Sequence, residues 1–281
     1  MMRKLLFVIV CVLSVLTVSA QEYKEYLRQF EVSFSEGNYA AAEKHMIKAI
    51  SILEQTGNNK VLVYSYSNLG TALRRMDKNE EALRAYKKAL ALRPDAVFVL
   101  ANRASLYNVM KKYDLAIADF NTALKLKPNE EGLLLNRAHA FKQKGDSLAA
   151  EKDLQKIMEI NPENFRAASN LCGIYANRGD YKRAIATMSQ LIDKHPYEFR
   201  LYNNRAYFYL KSKELYKAML DVDKCIQLNK NYDVAYTTRG ELYMEHGEFK
   251  KALKDLRKAV KLGNKDDETF RLIDKCNEHL N

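Results

Sequence analysis

The four prolines of this 281-residue chain, Pro94, Pro128, Pro162 and Pro196, are each separated from the next by 34 residues. Each follows a run of helix-forming residues, as in "ALALRPD" at 89–95. Proline lacks the amide hydrogen and its ring clashes with the preceding turn, so it cannot continue a helix. A fixed proline spacing therefore marks a fixed spacing of helix ends. It predicts a repeat array rather than the one or two compact domains that length alone suggests.

The residues between the prolines divide into two helical segments per unit. Segments such as "ALRAYKKALALRP" and "AIADFNTALKLKP" carry apolar residues at helical spacing, and another such segment precedes each, as in "YSNLGTALRRM". A short turn such as "GDY" at 179–181 separates the two, so each unit is predicted to be helix, turn, helix. A small residue lets two helix backbones approach closely. Early in the second helix an alanine recurs at Ala42, Ala82, Ala116, Ala150, Ala184, Ala218 and Ala252.

This pattern resembles the tetratricopeptide repeat family, with Leu69-Gly70 giving the best match to its first helix. The resemblance implies an all-α, right-handed solenoid of about seven helical hairpins plus a C-terminal capping helix over 267–280. The mature domain would be 21–281. Its repeats are expected near 23–56, 63–96, 97–130, 131–164, 165–198, 199–232 and 233–266. The first two repeats are 40 residues apart, and "TGNNK" at 56–60 is predicted to be an extra loop.

Residues 1–20, "MMRKLLFVIVCVLSVLTVSA", indicate an export signal. Arg3 and Lys4 precede an apolar run, and Val18-Ser19-Ala20 is typical of a signal-peptidase site. The alternative is an uncleaved membrane anchor, because the apolar stretch approaches spanning length. Cleavage before Gln21 resembles exported proteins of the Bacteroidetes group, so a periplasmic or secreted location is expected, without stable membrane insertion after cleavage.

Charge and cysteine content favour neither nucleic acid nor a disulfide framework. Removal of Arg3 and Lys4 lowers the formal net charge from +11 to +9. The bases are scattered among acids along the helices, which is typical of a solvated surface, and export argues against nucleic acid. The three cysteines that remain, Cys172, Cys225 and Cys276, form no close pair and are interpreted as small buried residues.

Arginine and aspartate vary together among the repeats. Four repeats carry an arginine in the first helix and an aspartate sixteen residues later, whereas repeats two and five carry Leu69 with Ala85 and Leu171 with Thr187. Repeat one has Gln29 with His45 at these places. We therefore predict a structural pair within each hairpin, and exposed unpaired charges are the alternative. The pairs are Arg103 with Asp119, Arg137 with Asp153, Arg205 with Asp221, and Arg239 with Asp255.

Asparagines occupy the position before these arginines and leucines, at a place that faces the concave groove in tetratricopeptide proteins. The row resembles the asparagine ladder of O-linked N-acetylglucosamine transferases. It could hold a peptide backbone because an amide both donates and accepts, or it could bond only to neighbouring helices. Its members are Asn68, Asn102, Asn136, Asn170 and Asn204. We expect Arg74, His139, Arg166, Arg200, Asn203 and Tyr207 on the same face, giving a basic middle that would suit an acidic segment.

These features predict a non-enzymatic, exported scaffold that binds an extended peptide or a partner protein in its groove. No glycine-rich phosphate loop, nucleophile elbow or metalloprotease motif occurs, and the five histidines have no metal-ligand spacing, so no catalytic residue, metal or cofactor is expected. The alternative function is a carbohydrate- or cell-wall-binding accessory of an envelope transport or glycan system. The sequence does not indicate the oligomeric state or the partner.

Overall fold

The structure is a computed structural model that describes residues 21–281; the predicted export signal at 1–20 lies outside the described residues. Fifteen helices, and no strand, occur within 21–281. The chain separates into two compact units, which we call the N-terminal unit (described over 21–150) and the C-terminal unit (151–281). The expected all-α repeat solenoid is confirmed.

The N-terminal unit consists of antiparallel hairpins in which each helix from α2 to α6 packs on the next one along the chain. First helices also contact each other between adjacent hairpins, as α3 contacts α5 and α5 contacts α7. The helices are α1 (21–35), α2 (Tyr39–Thr56), α3 (Asn59–Arg75), α4 (Asn79–Leu92), α5 (Val97–Val109), α6 (Tyr113–Leu126) and α7 (Glu131–Lys144), and α8 (Ser147–Ile160) contains the boundary between the units.

The C-terminal unit repeats the same arrangement and ends in a single helix. Cys276 of that last helix is fully buried in a cluster with Ala252 and Leu256, so the helix covers the apolar face of the last hairpin, as the ends of a solenoid require. The helices are α9 (Phe165–Asn177), α10 (Tyr181–Lys194), α11 (Phe199–Lys211), α12 (Leu215–Leu228), α13 (Asp233–Glu245), α14 (Phe249–Leu262) and α15 (Asp267–Glu278).

Small residues set how closely the two helices of a hairpin approach. All seven recurring alanines of the second helices are fully buried. In the first helix of the second hairpin, a Cβ on Gly70 would lie 2.6 Å from Cε1 of Tyr86, which is itself fully buried. Glycine is therefore required at that position to seat the Tyr86 ring.

The turns within the hairpins share one backbone conformation. A residue with positive φ lies at each turn, and from Asp77 onward these residues recur every 34 residues. Three of them, Asp77, Lys111 and Lys213, are not glycine and adopt a conformation that costs an L-residue about 1–2 kcal/mol. The four glycines are Gly37, Gly145, Gly179 and Gly247.

The helices before the four prolines all end two residues earlier, at Leu92, Leu126, Ile160 and Lys194. The prediction that "TGNNK" forms an extra loop is wrong. Helices α2 and α3 have 18 and 17 residues, and only Gly57 and Asn58 lie outside them. Gly57 adopts the left-handed conformation that ends α2, and the Asn58 side chain accepts from the Val61 amide to begin α3. The extra residues therefore lengthen two helices.

Candidate functional site

Three of the predicted Arg/Asp pairs are joined by two hydrogen bonds each. Arg103 Nε and Nη2 both donate to the Asp119 carboxylate at 2.7 Å, and Arg205 donates to Asp221 at 2.7 and 2.8 Å. Arg239 donates to Asp255 at 2.6 and 3.1 Å. The three aspartates are buried, and hydrogen bonding to them raises the pKa of Arg103 and Arg205. Such bidentate pairs fix the orientation of both side chains.

Arg137 and Asp153 fall in different units, and Asp153 is buried. Arg137 Nη1 donates to Asn121 Oδ1 at 2.7 Å, and Asn121 lies sixteen residues earlier. The same backward bond joins Arg205 to Ser189 Oγ at 2.9 Å. It also joins Arg239 to Asp223 Oδ1 at 2.8 Å. These arginines therefore link their own hairpin to the second helix of the preceding one, a contact that we did not predict.

The repeats without an arginine carry other residue pairs at the same two positions, sixteen residues apart. His45 Nδ1 lies 2.7 Å from Gln29 Oε1 in the first hairpin, so a histidine–glutamine pair replaces the arginine–aspartate one. In the C-terminal unit Leu171 and Thr187 are both buried, and Thr187 Oγ1 donates to the Arg183 carbonyl of its own helix. The hairpin interior thus accommodates an arginine–aspartate pair, a glutamine–histidine pair or a leucine–threonine pair at the same two positions.

In the N-terminal unit, the asparagines of the predicted row have unequal surroundings. Asn102 is half-buried, and its Nδ2 donates to Ser67 Oγ of the neighbouring α3 at 3.2 Å. Asn68 and Asn136 are exposed. Asn102 is thus engaged between helices, whereas the amides of Asn68 and Asn136 are accessible to a ligand. Of the other residues expected on this face, Arg74 is half-buried and His139 is exposed.

In the C-terminal unit, Asn170 is exposed and donates to the Arg166 carbonyl of its own helix at 2.9 Å. Asn204 is half-buried. The two arginines expected to form the basic middle, Arg166 and Arg200, are both exposed. Arg200 lies over the Phe199 ring, 4.8 Å from its centroid.

A pocket of about 490 Å³ opens in the C-terminal unit among α9, α11, α13 and the start of α15. Asn203, Asn204 and Tyr207 of the predicted site line it, whereas Arg166 and Arg200 do not. Its apolar wall includes Ala176, Phe208 and Val234, and its polar wall includes Thr237, Thr238 and Thr269. The described charged residues that line it are Glu241, Asp266 and Glu268, so the expected basic middle is absent from this pocket.

A hydrogen-bond network fixes one side of the pocket. Buried Asn264 accepts from the Asp266 amide at 2.9 Å and from Thr269 Oγ1 at 3.2 Å, and its Nδ2 lies 3.4 Å from Thr237 Oγ1. Thr237 and Thr269 hydroxyls are 3.2 Å apart. The start of α15 is therefore tied to α13, which positions Asp266 and Glu268 at the rim. No local pattern in the sequence would have revealed this link.

The pKa of Glu241 is raised above its ordinary value. Burial is the main cause, the negative charge of Glu268 adds to the increase, and the neighbouring Lys211 opposes it. Lys211 Nζ lies 3.4 Å from a Glu241 carboxylate oxygen. Asn203, which also lines the pocket, is only 4% exposed, and its Oδ1 is buried without a hydrogen-bond partner among residues 21–281. The pocket thus combines negative charge with one unused buried acceptor.

The remaining polar clusters offer little chemistry. Cys172, Cys225 and Cys276 are free and buried, and burial raises the pKa of both Cys172 and Cys225 to about 12. Within residues 21–281, no group of three or more His, Cys, Asp or Glu side chains is placed to hold a metal ion. None of the helices over the same residues is long and apolar enough to cross a membrane.

Tetratricopeptide repeat models match the chain over residues 31–95, 97–130, 141–212, 199–232 and 234–266. Together these matches cover most of the described residues, and those over 97–130, 199–232 and 234–266 each span one hairpin.

Among solved structures, a tetratricopeptide repeat protein from Parabacteroides merdae is 28% identical, with a TM-score of 0.59, and the match covers 93% of this chain and all of that one. YrrB, described as a TPR protein with an unusual peptide-binding site, is 23% identical with a TM-score of 0.50; the match covers 61% of this chain and 88% of YrrB. A curated relative, the STIP1 homolog of Dictyostelium discoideum, is 39% identical over 77 residues, which are 27% of this chain and 13% of that protein. The chain belongs to the tetratricopeptide repeat family.

Proposed function

We propose that the chain is an exported, non-enzymatic scaffold that binds an extended peptide segment of a partner protein on the faces formed by the first helices of its hairpins. The fold is one that serves protein–protein interaction, and members of the family bind protein or peptide partners. The family's proteins are generally non-enzymatic scaffolds, which agrees with a site built from amides, hydroxyls and apolar walls.

The pocket in the C-terminal unit is the observation that carries the proposal. It is open to solvent on the face of α9, α11 and α13, and its volume of about 490 Å³ accommodates a large side chain together with the adjoining backbone. Its lining mixes an apolar wall with side chains that both donate and accept. A surface of this kind suits a peptide better than a flat protein face.

The exposed asparagines Asn68, Asn136 and Asn170 add a second means of holding a peptide. Each primary amide can pair with a backbone carbonyl and amide at once, whatever the side chains of the ligand. Each such bond contributes a net stabilisation of about 0.5–1.5 kcal/mol. An acidic ligand segment, which the sequence predicted for the groove, would not suit this pocket, because the charged residues that line the pocket are acidic themselves.

A carbohydrate- or cell-wall-binding role is less well supported. Sugar sites commonly present exposed aromatic rings, but of the rings that line this pocket Tyr207 is exposed and Phe208 is buried.

Export to the periplasm, or beyond the cell, rests on residues 1–20. N-terminal sequencing of the protein from its native envelope would show Gln21 first if the signal is cleaved, and an intact N-terminus would favour the anchor.

Hydrogen exchange with a bound peptide tests the location of the site. A peptide selected against the purified chain from a random displayed library should protect the first helices α9, α11 and α13, because their side chains line the pocket. Helix α10 contributes Met188 to the pocket lining, so the second helices α12 and α14, which contribute no lining residue, serve as the internal control and should exchange as in the free protein. Protection confined to the second helices would overturn the proposal.

A further inference from the structure

We propose that the C-terminal pocket receives a lysine or arginine side chain of the bound peptide. This inference rests on the proposed function and adds the chemistry of one residue of the ligand. The described charged residues lining the pocket, Glu241, Asp266 and Glu268, are all carboxylates. A cationic side chain is the natural complement of such a lining.

The buried acceptor Asn203 supplies an observation independent of the acidic groups. Asn203 lines the pocket, is 4% exposed, and leaves Oδ1 without a hydrogen-bond partner among residues 21–281. A buried acceptor without a partner costs free energy, which a donor from a ligand recovers. Lysine ammonium and arginine guanidinium groups carry donors and no acceptor, so they suit this oxygen and the carboxylates together.

The basic side chains near the pocket do not neutralise all of its carboxylates. Lys211 lies 3.4 Å from Glu241 and Arg271 lies 3.5 Å from Glu268, and both bases are more than one-third exposed. The Asp266 carboxylate makes no ion pair with any residue of 21–281. Three carboxylates therefore face two peripheral bases, and the pocket has an unbalanced negative charge.

The apolar wall explains why the ligand would be a long side chain rather than a small ion. Ala176, Phe208 and Val234 line the same pocket as the acidic groups. Lysine and arginine place their methylene stems on apolar surface and keep their charged heads among polar groups. A bare metal ion would leave this wall unused, and within residues 21–281 no cluster of acidic, histidine or cysteine side chains is arranged to bind one.

The test uses two matched sets of probes. The isotope-labelled chain is titrated with N-acetyl-lysine methylamide and N-acetyl-arginine methylamide, and amide chemical shifts are followed by NMR. The norleucine derivative carries a similar stem without charge, and the glutamate derivative carries the opposite charge. We expect shifts at Asn203, Thr238 and Glu241 with the two basic probes. An equal response to the glutamate probe, or no response at the pocket, would overturn the inference.

Variants connect the probe to the peptide. Glu241→Gln combined with Glu268→Gln should weaken a lysine-containing selected peptide by about tenfold or more, because charged hydrogen bonds are lost. The control is Glu245→Gln, which changes an exposed carboxylate of the same helix that pairs with Lys213 outside the pocket. Thermal melting of each variant shows whether the fold is retained.

The outcomes separate this inference from the proposed function. A selected peptide that binds the double variant as well as the unchanged chain overturns the basic side chain but leaves peptide binding in place. If the displayed library yields no peptide that binds the purified chain, while the lysine probe still binds, the proposed function is overturned and with it the peptide as the source of the cation.

Discussion

Replacing Asp221 by alanine should destabilise the C-terminal unit strongly. The Asp221 side chain is 9% exposed and accepts from Arg205 at 2.7 and 2.8 Å, and the Arg205 side chain is 18% exposed. The substitution would leave the guanidinium largely buried with one remaining bond, to Ser189 Oγ. Removal of one partner of a buried pair costs about 3–5 kcal/mol, and we expect a loss in that range.

The chain itself provides the matched control. Its second hairpin carries Leu69 and Ala85, where the sixth carries Arg205 and Asp221. The double variant Arg205→Leu with Asp221→Ala reproduces that apolar pair and leaves no unpaired charge. Replacement of a buried ion pair by apolar residues is often neutral or stabilising, so the double variant should be clearly more stable than Asp221→Ala alone.

Urea unfolding followed by far-ultraviolet circular dichroism gives the free energies of unfolding for the three proteins. Hydrogen exchange should localise the loss to α11 and α12, because each hairpin of a repeat array contacts mainly its neighbours. A cost of less than about 1 kcal/mol for Asp221→Ala, or a double variant as unstable as the single one, would show that the pair does not stabilise the hairpin in this way.

Three further substitutions test the backbone and packing. Lys111→Gly should raise the free energy of unfolding by roughly 0.5–1 kcal/mol, because glycine adopts positive φ without strain; unchanged or lower stability in urea unfolding would contradict this. Gly70→Ala should lower the free energy of unfolding by about 1–3 kcal/mol through the clash with Tyr86. Gly173→Ala has open space around its Cβ and should raise the melting temperature. Equal effects of the two substitutions would contradict the packing. Asn102→Ala should cost about 1 kcal/mol on urea unfolding, since it removes a bond between helices, and no change would mean the bond contributes little.

The repeat period gives the local structure because each repeat is one hairpin that packs on its neighbour. The prolines indicated where four helices end, and the recurring alanines marked fully buried positions. An arginine and an aspartate sixteen residues apart lie on the two helices of one hairpin, so their joint variation indicated a contact. The loop predicted at "TGNNK" did not form, because Gly57 and Asn58 alone make the turn, while Thr56 ends α2 and Asn59 begins α3.

The pocket was only partly predictable because it brings together residues from different hairpins. Asn203, Thr238 and Asp266 belong to or precede three different first helices, and their proximity depends on how successive hairpins pack. Asn203, Asn204 and Tyr207 were predicted from their place in one repeat. The acidic rim was missed because Asp266 and Glu268 belong to the start of the capping helix, where the repeat pattern ends.

The affinity of a selected peptide for an asparagine variant tests the central claim, that the first-helix faces hold a peptide, most directly. Asn68, Asn136 and Asn170 are replaced together by alanine, and Asn231→Ala, in an exposed turn, is the control. Fluorescence anisotropy should show binding weakened by at least about 1.5 kcal/mol, since each of the three asparagines loses one or two hydrogen bonds worth about 0.5–1.5 kcal/mol each, and the melting temperature should not fall. Unchanged affinity in the triple variant, or an equal loss in the control, would contradict the claim.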